Sequence, residues 1–203
     1  MSWKDKYVVV DTETTGLGPD ARIVEIAIVG FEKGEIVSSW STLLCPAGLD
    51  AGKPDVQKAL AVNGLSVADL GHKQFPEVAY DVYGRLNKEV IVGHNLDFDK
   101  RMIRQEWGRL LPPITDKRPA PILDVCTLLC DFCLRPGVMR RNLDAACSRW
   151  TVDRGKSHRA LSDAIAAGRL LHAMLNELPD DEDEFRELLD IAWRTWDAIL
   201  SQR

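Results

Sequence analysis

Tyr7-Val8-Val9-Val10-Asp11-Thr12-Glu13-Thr14-Thr15-Gly16 is the stretch that decides the fold class. The apolar run is short and rich in β-branched residues, so it reads as a strand buried on both faces, ending at Asp11. A turn follows at Gly16-Leu17-Gly18-Pro19-Asp20. Residues 22–31 (RIVEIAIVGF) and 35–44 (EIVSSWSTLL) are two further strand patterns, separated only by Glu32-Lys33-Gly34. That spacing predicts a hairpin, and with the opening strand an antiparallel meander.

Beyond the meander the period changes. Residues 54–87 read as mainly helical with a break near Pro76, after which Val78, Val82 and Leu86 share one face. Val90-Ile91-Val92-Gly93 is a second buried strand and ends in His94-Asn95. A helix is expected next, capped by Asn95, with Phe98, Met102 and Ile103 inward. Pro121-Ile122-Leu123 suggests a last short strand before Asp124, and residues 124–135, 142–150 and 159–177 suggest helices. A meander followed by β-α-β-α units implies an α/β sheet of mixed direction.

Two chain segments are distinguished: residues 1–178 as the main domain, and residues 179–203 as a C-terminal amphipathic helix. That helix begins in a run of five acids, Asp180 to Glu184, and carries Phe185, Leu188, Leu189, Ala192, Trp196, Ile199 and Leu200 as a stripe. Its apolar face either braces the domain or receives a partner, a polymerase or a second copy.

The bulk numbers set outer bounds. The 203 residues suit one domain, and 45% hydrophobic with 28% charged residues suits a globular fold. The first apolar stretch is too brief for a secretory core and no window nears the roughly 18 apolar residues of a membrane span, so a cytoplasmic location without membrane insertion is expected. Five cysteines read as reduced thiols. A net charge of −5 argues against a protein that coats nucleic acid by charge alone. It leaves room for an enzyme whose carboxylates gather divalent cations and which grips phosphate through them.

The carboxylates have a pattern of their own. If the first strand stays extended, Asp11 and Glu13 project from one face, roughly 6–7 Å apart along the backbone, a separation at which two acids can serve one metal site. Gly16 allows a close turn beside them. Asp99 shares a helical face with Met102 and Ile103, whereas Asp97 lies off that stripe in solvent. Asp163 shares its face with Ala167, Leu170, Leu171 and Met174, and His158 lies five residues before it. Inward acids need a partner, and a divalent cation is the simplest. An all-oxygen set selects Mg²⁺ or Mn²⁺. Two ions about 4 Å apart would stabilise the attacking and leaving oxygens of a phosphodiester. His158 could take the proton of the attacking water.

The order of these pieces resembles the DEDDh family of 3′→5′ exonucleases, which includes the proofreading epsilon subunit of bacterial replicative polymerase and free-standing relatives. The resemblance covers roughly residues 5–177. It rests on Asp11-Thr12-Glu13-Thr14-Thr15-Gly16-Leu17, on His94-Asn95-x-x-Phe98-Asp99 and on His158-x4-Asp163, with Asn142-Leu143-Asp144-Ala145-Ala146-Cys147 leading into the last. It implies an RNase H-like fold with sheet order 3-2-1-4-5. It implies Asp11, Glu13, Asp99 and Asp163 as metal ligands and His158 as general base. It also implies terminal-nucleotide contacts at Thr14, Gly16, Leu17, Asn63, His94, Asn95 and Phe98, although Phe98 reads equally as core beside Met102. Asn63 stands where the family often carries histidine before glycine, which puts the base contacts there in question. The first motif reads Asp-Thr-Glu-Thr-Thr-Gly, as in proofreading relatives, rather than the Asp-Leu-Glu-Met-Thr-Gly of oligoribonucleases. This implies DNA, in single-stranded or frayed ends, ahead of RNA.

Two further signals compete for attention. Cys126-x3-Cys130-x2-Cys133 has the spacing of an iron–sulfur motif, but i, i+4, i+7 is also one buried helix face. Arg135, Arg140, Arg141, Arg149, Arg154, Lys156 and Arg159 make a local basic excess, either a solvated surface or a guide for a phosphate backbone. An RNA-trimming enzyme of the same family and a non-catalytic, polymerase-associated binding module are the alternative functions.

Overall fold

A computed structural model describes residues 2–110, 119–138, 140–156 and 158–201. Among these, β1 (Lys6–Thr14), β2 (Ile23–Glu32) and β3 (Glu35–Leu43) form the expected antiparallel meander. β4 (Val90–Gly93) joins β1 in parallel and β5 (Leu123–Cys126) joins β4 in parallel. The order β3-β2-β1-β4-β5 is the 3-2-1-4-5 arrangement expected of an RNase H-like sheet.

β1 is the central strand, and its alternation explains both faces. Tyr7 and Val9 enter one core with Ala27, Val29, Val92 and Val125; Val8 and Val10 enter another with Ile26, Ile28 and Ile91. Period 2 therefore carries Asp11 and Glu13 onto the Tyr7 face and Thr12 onto the Val10 face. β1 also outruns β4, whose pairing with it reaches only Val9↔Val92. The residues after Val10 thus stand beyond the carboxyl end of a parallel neighbour, where the strand order reverses and where α/β sheets place ligands.

Helices α1 (Pro54–Val62), α2 (Phe75–Leu86) and α3 (Leu96–Gly108) follow β3 and β4. The break in the 54–87 region lies before α2, across a single 3-10 turn at Val67–Asp69, and not at Pro76. Pro76 sits in the first turn of α2, where its missing N–H has no intrahelical partner to lose. α2 and α3 cover the Val10 face through Phe75, Val78, Val82, Met102 and Trp107.

The other face is covered by α4 (Thr127–Leu134), α5 (Leu143–Arg149), α6 (Ala160–Met174) and α7 (Glu182–Leu200). β5 runs through Asp124, so α4 starts three residues later than the sequence pattern indicates. The parallel register Ile91↔Asp124 and Val92↔Val125 holds this segment in the sheet. α6 packs closest, because Gly168 has no side chain: a Cβ there would come within 2.3 Å of the Phe31 ring. Tyr7 seals the approach, its hydroxyl donating to the Gly168 carbonyl at 3.1 Å.

α7 packs along α4. Phe185 is fully buried and stacks on Trp3 at 4.2 Å between centroids, and Trp196 meets Phe132 edge-on at 5.6 Å. Trp193 and Ile199 face outward, and the side chain of Leu200 lies outside the described residues. No helix among the described residues is long and apolar enough to cross a membrane. All five cysteines are free. Burial pushes the Cys126 thiol up to about 11 and raises Cys130 and Cys133 as well. Cys126 ends β5 and packs against the Val10-face core, whereas Cys130 lies on α4 in the opposite core, so the 126–130–133 spacing is not one helix face.

Candidate active site

Asp11 and Glu13 project from the end of β1 as alternation requires, and α6 brings Asp163 to them. Carboxylate oxygens of Asp11, Glu13 and Asp163 all lie within 4.8 Å of one another, and each side chain is half-buried. Asp163 stands in the first turn of α6 and Asp99 in the first turn of α3, where the helix N-terminus favours negative charge. Asp99 is buried and turns Oδ1 to Thr12, accepting from its backbone N–H at 2.8 Å and its hydroxyl at 2.7 Å. Thr12, on the opposite face of β1 from the two acids, is the strand's link to α3.

The electrostatics are those of crowded acids. Burial first, then Asp99, Asp163 and Glu13, hold the Asp11 carboxyl well above the usual carboxylate range. Glu13 is pushed up to about 8 by burial and by Asp163, Glu25 and Asp99. Asp99 is pushed up to about 7 by burial, against the hydrogen bonds from Thr12. Oδ1 of Asp163 is buried without a hydrogen-bond partner. An orphaned carboxylate oxygen beside Asp11 and Glu13, with Asp99 outside that close group but near enough to repel it, fits a hard divalent cation such as Mg²⁺ or Mn²⁺; among the described residues the group holds carboxylates only. Oδ2 of Asp163 meets a cation of the chain itself, Nη2 of Arg154, at 2.9 Å.

His158 lies in the loop before α6, exposed, with φ of 60°. The residues proposed for substrate contact divide. Thr14, Gly16, Leu17 and Asn63 line one cavity of about 390 Å³ with Asp55, Lys58, Ala59 and Val62. Asn63 ends α1 and donates through Nδ2 to the Thr14 carbonyl at 3.1 Å, so it pins α1 to the first motif. The α1 residues went unread in the sequence, although 55, 58, 59 and 62 are one helix face. Arg101 also escaped notice: it donates to the Leu17 carbonyl at 3.2 Å and lies over the Phe98 ring, tying the Leu17 turn to α3.

His94 is placed differently from a nucleotide contact. It is buried, with Nδ1 2.9 Å from the Thr127 hydroxyl and Nε2 2.7 Å from the Arg141 carbonyl. A carbonyl only accepts, so Nε2 carries the proton and Nδ1 accepts from Thr127. Burial lowers the ring's pKa, in keeping with a neutral imidazole. Asn95 occupies the N-cap position of α3 but makes no side-chain cap bond, and its side chain is exposed. Phe98 is half-buried against the α2–α3 core, and Asp97 is exposed.

The basic excess around the third motif is mostly spent within the chain. Arg141 and Arg149 both bind Asp131, which is fully buried and also accepts from Trp150. Arg135 pairs with Glu177, Arg154 with Asp163 and Asp144, and Arg159 with Glu25. Arg159 therefore does not serve as a free guide for phosphate, whereas Arg140 and Lys156 are exposed.

A sheet of order 3-2-1-4-5 with a carboxylate cluster at the switch point of its central strand defines a nuclease-type hydrolase of RNase H-like fold. The chain belongs to the Exonuclease (RNase_T) family, whose profile matches residues 8–171. It is 29% identical over 184 residues to a PolC-type DNA polymerase III of Oceanobacillus iheyensis and 31% identical over 188 residues to that of Streptococcus mutans. Those alignments cover 89% and 91% of this chain but only 12% of each polymerase. Among solved structures, Exonuclease X in complex with 5′ overhanging duplex DNA matches with TM-score 0.66 and 25% identity, covering 90% of this chain and 98% of that one. Exonuclease I, at 15% identity, shares the fold with TM-score 0.70, covering 92% of this chain and 43% of that one.

Proposed function

We propose that this chain is a 3′→5′ exonuclease acting on single-stranded or frayed DNA ends and releasing nucleoside monophosphates with the help of two Mg²⁺ or Mn²⁺ ions. The convergence of Asp11, Glu13 and Asp163, with Asp99 beside them, carries this reading. Those four acids would hold the ions, which when bound supply Lewis-acid stabilisation of the charge that develops on the phosphate oxygens.

The chain's own residues do the rest. The cavity between the Thr14–Leu17 turn and α1 receives the terminal nucleotide, its apolar wall of Ala59 and Val62 suited to a base or sugar face. A ring nitrogen of His158 takes a proton from water as the water oxygen bonds to phosphorus. The P–O3′ bond to the preceding nucleotide breaks, and that oxygen takes a proton from solvent to leave a 3′-hydroxyl on the shortened strand. His158 faces solvent, which gives the abstracted proton a way out. A DNA substrate is supported by the Asp-Thr-Glu-Thr-Thr-Gly motif and by the likeness to the PolC-type polymerases and to Exonuclease X. An association with a polymerase is consistent with the first of these.

The test is Mg²⁺- or Mn²⁺-dependent release of mononucleotides from matched DNA and RNA oligonucleotides labelled at the 3′ end, with Asp11→Ala as control. Prompt label release from DNA by the wild type alone is the expected result. Faster release from RNA would reassign the substrate. Equal release by Asp11→Ala would end the nuclease reading, and binding without release would favour a non-catalytic module.

A further inference from the structure

Glu25 is an acid inside a strand that is otherwise buried and apolar. It is only 3% exposed, between Val24 and Ile26, and stands directly across from Glu13 in the β1–β2 register. A carboxylate in that position requires several donors. Arg159 supplies two in fork geometry, Nε and Nη2 each at 3.0 Å, and the backbone N–H of Ala160 supplies a third at 3.3 Å.

Ala160 is the first residue of α6 and Arg159 its N-cap, whose own side chain makes no cap bond. The N-terminus of α6 is therefore capped from β2, by a residue far away in sequence. Asp163 lies in the turn that this contact holds. His158 is the residue just before the cap, in the left-handed region at φ 60°, a backbone state uncommon for non-glycine residues although histidine adopts it more readily than most.

We propose that Glu25 and Arg159 are positioning residues of the nuclease site, a bridge that sets the β1 acids against Asp163 and fixes the turn presenting His158. The inference rests on the nuclease reading above. Neither residue needs to touch metal or substrate for this. The bridge joins the two halves of the ligand set, Asp11 and Glu13 on one side and Asp163 on the other. It also places a guanidinium on Glu25, so that the buried acid opposite Glu13 adds less repulsion to the cluster.

The experiment compares Glu25→Gln, Arg159→Gln and Arg159→Lys with the wild-type chain. Mn²⁺ affinity is read from the loss of the free-ion signal in electron paramagnetic resonance, together with kcat and KM on a 3′-labelled oligonucleotide and the melting temperature. Partners of metal ligands typically change affinity by about 10- to 100-fold when removed. Mn²⁺ binding about 10-fold weaker and kcat lower by a similar factor, with KM nearly unchanged, is the expected result for both glutamine variants. Arg159→Lys, which keeps charge but loses the fork, should recover only part of each.

A folded Glu25→Gln or Arg159→Gln protein with wild-type Mn²⁺ affinity and kcat overturns the inference. So does a loss that tracks the melting temperature and disappears well below it. If Glu25→Gln does not fold, the two Arg159 variants decide. A wild-type protein that neither binds Mn²⁺ nor releases nucleotide would instead sink the nuclease reading, which the Asp11→Ala control separates from this one.

Discussion

The Arg154 guanidinium lies 2.9 Å from Oδ2 of Asp163 and reaches Oδ1 of Asp144 at 2.6 Å, so the acid cluster is met by a cation fixed to its own chain. Nη1 of Arg154 is buried without a hydrogen-bond partner. A metal that binds Asp163 through both oxygens must compete with this arginine. Arg154→Gln should therefore bind Mn²⁺ about 3- to 10-fold more tightly, a change of about 1 kcal/mol, the size expected for one partly screened charge. Its melting temperature in chelator should fall, because the repelling acids lose their internal counterion. Calorimetric titration and thermal melts of the same variant check both signs. Weaker Mn²⁺ binding by the variant would mean that the arginine supports the ligand instead of competing for it.

Raised carboxyl pKa values make stability depend on pH in the less usual direction. Glu13 is pushed up to about 8 and Asp99 to about 7, and Asp11 moves the same way. Between the ordinary carboxylate range and these values the native protein holds protons that the unfolded chain has released. Stability must fall as pH climbs through that window. In chelator, the melting temperature should drop between about pH 5 and about pH 8, and Mg²⁺ or Mn²⁺ should flatten the slope while releasing protons. Melting curves in a pH series with and without metal measure it; a rise with pH in chelator would contradict the assignment.

Asp11→Asn tests the same repulsion from another side. Relieving one of the crowded carboxyls should raise the unfolding free energy in chelator by about 1–3 kcal/mol while abolishing metal-dependent cleavage. Denaturant unfolding in chelator, run alongside the nuclease assay, gives both numbers. A variant less stable than wild type would indicate that the acids are not in mutual contact.

The two histidines should behave in opposite ways. His94→Ala strands the Arg141 carbonyl and the Thr127 hydroxyl in the interior, at a cost of about 2–4 kcal/mol. His158 is exposed, so His158→Gln should leave the urea midpoint nearly unchanged while lowering kcat by about 10²- to 10⁴-fold. Urea titrations and initial rates on both variants distinguish structure from catalysis. A His158 variant with undiminished kcat would remove it as the general base.

The parts of this molecule visible in its sequence are those governed by short-range rules. Alternation along β1 places Asp11 and Glu13 on one face, and the helical stripes turn Asp99 and Asp163 inward, so the acids could be read from spacing alone. The sheet order came from family resemblance, since periodicity says nothing about which strands are neighbours. What escaped depends on contacts across the chain. His94 looks like a strand-end substrate contact until α4 and the Arg141 carbonyl close on it. The arginines before the third motif look like a surface until Asp131, Glu177 and Glu25 arrive from elsewhere. Glu25 left one local sign, a charge within an apolar strand. Pro76 misled because a proline inside a helical pattern reads as a break, although the first turn of a helix accommodates it.

The stacking of Trp3 on Phe185 ties the opening residues of the chain to its last helix, and Lys4 reinforces the knot by donating to the carbonyls of Leu175 and Leu178 at 2.7 Å. These contacts bind residues 3–4 to α7 and to the turn before it. Trp3→Ala should therefore loosen α7 and speed proteolytic cleavage within it, far from the carboxylates.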